Sequence, residues 1–296
     1  MQQSQPTRVM DAAQDTQRSI DCWNDILTPK WVRFRHLLSG NGKIHSDVAN
    51  GRIAVPAGSR VLDIGCGFGE TCLEFAERVG PTGSVLGLDC TGSFLEIAAA
   101  EAKAARTKNV SYLTADIESH ELQPASFDMA YSRFGIMFCY SPVRALRNVW
   151  RALVPGGMVH LIAWRSVRDN PCWGVAEKVA LQHLPPPDDG AQTCGPGPFS
   201  FAAQGTGALM LAAANFTDVT HQRIDRDVCV GTSVDEAVDY QLLVGPAGFV
   251  IREAGEAGAR ALPAIREELV GVYNSHTRAD GSVWLPSSTW LISARK

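Results

Sequence analysis

Residues 61–70 read VLDIGCGFGE. A short apolar run carries an acid near its end, and Gly65, Gly67 and Gly69 follow at every second position. That pattern describes a strand turning sharply into a helix. Loops of this kind commonly cradle phosphates, and the dinucleotide form needs GxGxxG so that its third glycine packs the helix against the strand. Here the spacing is GxGxG, and Glu70 falls where the helix begins. A carboxylate there suits the helix dipole and repels a phosphate. The loop therefore fits a ligand that brings cationic or neutral groups to the backbone, and Asp63 strengthens that reading. The same spacing disfavours a nicotinamide dehydrogenase.

On both sides of this stretch the chain alternates between two periods. A turn at residues 55–58 delivers a strand at 60–64, and a helix is expected over 70–79. Strands follow at 84–89, 110–116, 127–132 and 158–164, with helices at 94–106 and 142–153 between them. Alternation at this spacing arises when parallel strands are joined by crossover helices. The strands are near-continuously apolar, as a sheet covered on both faces requires. Residues 50–165 thus read as a doubly wound α/β core.

Upstream, Ile20, Trp23, Ile26 and Leu27 sit at helical spacing. A second helix opens at Thr28-Pro29 and is expected to stop at Gly40-Asn41-Gly42. Residues 166–200 are rich in proline and glycine and read as a lid or linker. Beyond them a helix is expected at 202–214, a strand at 218–229, helices at 234–244 and 260–274, and a closing strand at 282–293 that forms an antiparallel hairpin with 218–229. The division is a helical cover at 1–50, a ligand-binding core at 51–165, a lid or substrate segment at 166–215, and a C-terminal part at 216–296 that completes the sheet.

Two further acids narrow the ligand. Asp89 ends the second strand about 20 residues past the loop, where a carboxylate grips a ribose diol. Asp116 ends the expected third strand, where it can accept from an exocyclic amine. Three strand-end carboxylates around a glycine loop describe a nucleoside carrier without phosphates. S-adenosylmethionine has the matching groups: an ammonium, a sulfonium, a ribose diol and an adenine amine.

VLDIGCGFGE, followed by VLGLD, TADIE, SFDMAYSRFGIMF and LVPGGMVHLIAW, resembles the class I S-adenosylmethionine-dependent methyltransferases. The likeness is to the bacterial branch similar to quinone-biosynthesis methyltransferases, and it is densest over residues 55–165. It implies a Rossmann-like seven-stranded sheet with a terminal antiparallel hairpin, an N-terminal helical cover and an inserted lid. It also implies that Gly65, Cys66 and Gly67 let the backbone approach the amino-acid part of the cofactor, with Asp63 holding its ammonium. Asp89 takes the ribose with Cys90 beside it, Phe94 flanks the adenine, and Asp116 and the Ile117 backbone bind the adenine amine. Ser132 and Arg133 lie between cofactor and acceptor, and Trp23 and Trp31 cover the cofactor.

Methyl transfer from a sulfonium is an in-line displacement that needs alignment and exclusion of water more than acid–base help. Arg133 is the foremost polar candidate at the acceptor, and His36, Tyr140 and His183 are weak candidates for a base. His160 and Asp128 read as structural. Enzymes that methylate exocyclic base amines carry Asn/Asp-Pro-Pro-aromatic after the fourth strand, whereas this chain has Ser132-Arg133-Phe134-Gly135. Trp164, Trp173, Phe199 and Phe201 point to a small apolar or aromatic acceptor enclosed by the lid. The second reading is a regulatory protein that binds S-adenosylmethionine without transferring its methyl.

The bulk properties agree. The 296 residues are 45% hydrophobic and 20% charged, with net charge −4, and the pI near 6.0 argues against a nucleic-acid partner. The eight cysteines are scattered without a CxxC pair, which fits thiols in a cytoplasmic protein and no resident metal. No apolar stretch approaches the roughly 20 residues that span a bilayer. A homodimer is compatible with all of this.

Overall fold

The computed structural model describes residues 12–187 and 196–296. The first residues of the expected cover, Cys194 and the middle of the 166–215 segment lie outside the described residues. The chain opens with α1 (Ala12–Cys22), a π-helical turn at Trp23–Leu27, α2 (Thr28–Arg33) and α3 (Arg35–Asn50). The expected stop at Gly40-Asn41-Gly42 does not occur, because α3 runs straight through it. Gly42 serves close approach instead: a Cβ there would lie 3.1 Å from the Arg133 guanidinium carbon. A glycine inside a helix costs about 1 kcal/mol, which the burial of Leu37 and Ala49 on the same helix offsets.

The core follows as β1 (Arg60–Ile64), α4 (Glu70–Val79), β2 (Ser84–Asp89), α5 (Gly92–Ala104), β3 (Val110–Thr114), β4 (Phe127–Arg133), α6 (Pro142–Ala152) and β5 (Leu153–Trp164). Then come α7 (Pro171–His183), α8 (Gln204–Ala213), β6 (Thr217–Gly231), α9 (Val234–Leu243), α10 (Pro246–Glu253), α11 (Gly255–Asn274) and β7 (Val283–Arg295). The seven strands are ordered β3-β2-β1-β4-β5-β7-β6. The β1–β5 pairings are parallel, while β7 runs antiparallel to both β5 and β6. This is the expected doubly wound sheet with its terminal hairpin. The strand order reverses between β1 and β4, the place where open α/β sheets bind their ligands.

Further elements differ from the sequence reading for local reasons. β3 ends two residues early, so Asp116 stands in a turn where its carboxylate accepts from the Glu118 N–H and the Ser119 hydroxyl. Pro171 does not break the chain but starts α7, a position where its missing N–H costs nothing. α10 was not expected, and it too starts on a proline, Pro246.

Buried residues gather on both faces of the sheet. Phe75, Val79 and Tyr131 pack under α4, and Leu146, Val149 and Leu161 pack under α6. A third group, including Val179, Tyr240, Val250, Leu269 and Tyr273, joins α7, α9, α10 and α11. Cys22 is disulfide-bonded, contrary to the expectation of thiols throughout, while Cys66, Cys72, Cys90, Cys139, Cys172 and Cys229 are free. Among the described residues, no helix is long and apolar enough to cross a membrane.

Candidate active site

At the switch point the glycine loop forms one wall of a cavity of about 390 Å³. Gly65, Gly67 and Gly69 all have positive φ, at 64°, 54° and 81°, a region costly for side chains. A Cβ on Gly65 would come within 2.7 Å of the Gly135 Cα in the loop after β4. A Cβ on Gly67 would meet nothing within 4 Å, so that position leaves an open cradle in the cavity wall. The Gly65 and Cys66 N–H groups donate to the Leu88 carbonyl at 2.7 and 3.2 Å. The loop is thereby tied to the end of β2.

Asp89 completes that tie. Its Oδ2 accepts from the Gly67 N–H and its Oδ1 from the Thr91 N–H, both at 2.9 Å. Burial raises its pKa, and the two backbone donors favour the ionised form. Asp89 also lines the cavity, and a carboxylate at the end of the second strand suits a ribose diol. Asp116 and Ile117 line the wall beyond it. Glu118, also in the wall, accepts from the Ser141 N–H at 2.9 Å and from the Thr16 hydroxyl at 3.3 Å.

Asp63 and Ser132 are not brought to the cavity wall. Asp63 is fully buried and accepts from the Thr71 hydroxyl and, at 3.2 Å, from the Cys72 thiol. It holds the first turn of α4, and burial pushes its pKa up to about 6. Ser132 donates to the Ile64 carbonyl at 2.8 Å and accepts from the Ile136 N–H at 3.0 Å, stapling the β1 and β4 loops together.

The N-terminal helices close over this end. Trp23 stacks edge-on against Trp31 and Phe138, with centroids 5.0 and 4.9 Å apart, and Phe94 lies 4.6 Å from Phe68. Trp23, Trp31, Cys90 and Phe94 all line the cavity. Arg35 of α3 bridges to Glu101 of α5 and to Glu70 of α4, the latter at 3.1 Å. Glu70 also accepts from the Ser39 hydroxyl at 2.7 Å and pairs with Arg133 at 3.3 Å. The acid at the helix start is therefore balanced by two guanidinium groups.

The far end of the cavity is aromatic and apolar. Phe134 stacks on Trp164 at 4.4 Å, Trp164 meets Trp173 at 6.0 Å, and Trp173 meets Tyr240 at 5.5 Å. All four line it, with Phe199 and Phe249. Phe201 is buried in the core instead. Arg133 reaches the wall, but His36 is exposed and bonded to Glu236 at 3.1 Å. Tyr140 does not line the cavity, and His183 pairs with Glu268 on the outside. His160 bonds to Ser293 and Asp128 to Arg60, both structural. Glu118 and Trp23's partner Phe138 close the quoted stretches TADIE and SFDMAYSRFGIMF without having been assigned a role, and Glu177 of α7, Tyr240 of α9 and Phe249 of α10 carried no local motif.

Residues 61–157 match the family model described as a methyltransferase domain. Strand order, glycine loop and that match together make the chain similar to the class I S-adenosylmethionine-dependent methyltransferases. Within that class the chain is similar to the quinone-biosynthesis-like branch. It is 34% identical over 102 residues to the demethylmenaquinone methyltransferase of Lactococcus lactis subsp. lactis (strain IL1403), covering 34% of this chain and 40% of that protein. It is 34% identical over 107 residues to the demethylmenaquinone methyltransferase of Staphylococcus aureus (strain JH9), covering 36% and 44%. The matched region thus spans less than half the length of these relatives. In fold the chain is similar to the YcgJ protein of Bacillus subtilis, with TM-score 0.53, 17% identity and coverage of 85% and 97%. It is similarly close to a candidate methyltransferase of Bacillus halodurans C-125, with TM-score 0.54, 16% identity and coverage of 84% and 97%.

Proposed function

We propose that this chain transfers a methyl group from S-adenosylmethionine to a small, largely apolar or aromatic acceptor. The observation that carries the reading is a single continuous cavity with two chemically different ends. One end has the Gly67 cradle, Asp89 and Asp116; the other has Trp164, Trp173 and Tyr240. Bound there, S-adenosylmethionine supplies a methyl already activated by a sulfonium. Gly65, Cys66 and Gly67 receive its amino-acid part, Asp89 the ribose hydroxyls, and Asp116 with the Ile117 backbone the adenine edge. Trp23, Trp31 and Phe94 shield it, and the aromatic end aligns the acceptor and keeps water out. The names of the similar proteins favour a quinol-type ring as acceptor.

Isothermal titration with S-adenosylmethionine tests the first half, and binding in the micromolar range is expected. Incubation with a 1,4-naphthohydroquinone unsubstituted at one ring carbon tests the second, read as S-adenosylhomocysteine released together with the methylated product. Binding of the cofactor without turnover on a panel of quinols and phenols overturns the acceptor class. Absence of binding at millimolar cofactor overturns the reading altogether.

A further inference from the structure

Five carboxylates line the cavity, and four have protein partners. Glu70 is held by Arg35, Ser39 and Arg133; Asp89 by two backbone N–H groups; Asp116 by Glu118 and Ser119; Glu118 by the loop at residues 140–141 and Thr16. Glu177 has none: no hydrogen bond or ion pair reaches it from any described residue. Among the described residues, the other charged side chain of the wall with neither a hydrogen bond nor an ion pair is Arg252, and the two groups do not pair with each other. Glu177 lies on α7 one turn after Trp173, so the two share a face of that helix, and both belong to the wall of the aromatic end. A carboxylate in a half-buried, apolar surround is costly unless something hydrogen-bonds to it. Its pKa is raised by that burial alone.

We propose that Glu177 is the specificity-determining contact of the acceptor, accepting a hydrogen bond from an O–H on its ring. This rests on the transferase reading above and narrows it. The acceptor is an aromatic hydroxyl compound, and a bare aromatic or aliphatic body of the same shape is rejected. With the hydroxyl bound at α7, the ring is held between Trp173 and the β4 end of the cavity. The residue acts by positioning and selection, and the methyl donor end is indifferent to it.

Binding of 2-naphthol and of naphthalene is measured by titration into protein saturated with S-adenosylhomocysteine, for the wild type, Glu177→Gln and Glu177→Leu. Hydrogen bonds to charged groups predict that the wild type prefers 2-naphthol by about tenfold or more. Glu177→Gln narrows that preference, and Glu177→Leu abolishes it while tightening naphthalene. Affinity for S-adenosylhomocysteine serves as the control and stays at the wild-type value, while the melting temperature of Glu177→Gln and Glu177→Leu does not fall below that of the wild type, since an unpartnered buried carboxylate is removed. If the wild type shows no preference, binds neither probe, or keeps its preference in Glu177→Leu, the assignment is wrong. Loss of S-adenosylhomocysteine binding in the wild type itself instead defeats the transferase reading, so the two failures are distinguishable.

Discussion

At the scale of single residues, Asp89 and Asp63 show how one residue type takes opposite roles 26 positions apart. Asp89 lines the cavity and orders the loop, so Asp89→Ala removes two backbone contacts and, with them, the group proposed to meet the ribose. Loss of hydrogen bonds to a charged group predicts a weakening of S-adenosylmethionine binding by about tenfold to a hundredfold, read by titration. Asp63 is buried beneath α4, with its pKa moved from 3.8 to about 6. An acid raised in this way favours the fold most below its unfolded value, and that contribution is lost as pH rises through 6. Asp63→Asn therefore gains stability relative to the wild type between pH 4 and 7, by an amount on the order of 3 kcal/mol at most. Melting curves at pH 4.5 and 7.5 test this, and an unchanged difference between the two proteins contradicts it. The sequence marked both acids as strand-end groups, but the direction of a side chain depends on which face of the pleat it occupies. Asp63 sits two residues before Gly65, on the face that Thr71 and Cys72 cover, and only the packed helix reveals that.

At the scale of elements, the cover is fastened by Arg35. It joins α3 to α4 through Glu70 and to α5 through Glu101, fastening the cover to two helices of the core beside the cavity lined by Glu70. Arg35→Ala is expected to weaken S-adenosylmethionine binding several-fold, mainly through faster dissociation, because partly exposed ion pairs contribute only about 1 kcal/mol. Stopped-flow displacement reads the dissociation rate; a slower release or an unaltered one counts against the latch. The alternation of strands and crossover helices was legible because each element is written within a dozen residues. α10 and the continuity of α3 were not. Gly42 looks like a stop signal until Arg133, 91 residues later, is seen lying against it. Trp173 was legible as an aromatic of the lid segment, but Glu177 and Tyr240 carry no motif, and they enter the cavity only because α7 and α9 fold back onto the sheet.

At the scale of the whole molecule, two histidines weaken the fold in acid. His45 bonds to Ser287 and Thr289, His160 bonds to Ser293, and burial lowers each pKa to about 4. Both are neutral in the fold and charged once it opens, so their contribution is complete above pH 6.5 and disappears as pH falls toward 4. Each is worth on the order of 3 kcal/mol, in the direction opposite to Asp63 and to the carboxyls of Asp89, Glu118 and Glu177, which burial also raises. His160→Gln is therefore expected to lose less stability than the wild type between pH 7.5 and pH 5, read by melting temperature; an unchanged difference between the two proteins refutes the assignment. His160 was legible as a structural histidine from its place in a buried strand, but His45 was not, because it meets its partners on β7 more than 240 residues away. The meeting of Gly65 with Gly135 carries a different consequence. Each would drive a Cβ to within 3 Å of the other loop, so the floor under the donor end is bare backbone with no side chain to exchange. If the two ends serve as proposed, change of substrate range by selection or engineering falls to α7, α9 and α10, whose side chains line the other end, while this backbone floor stays as it is.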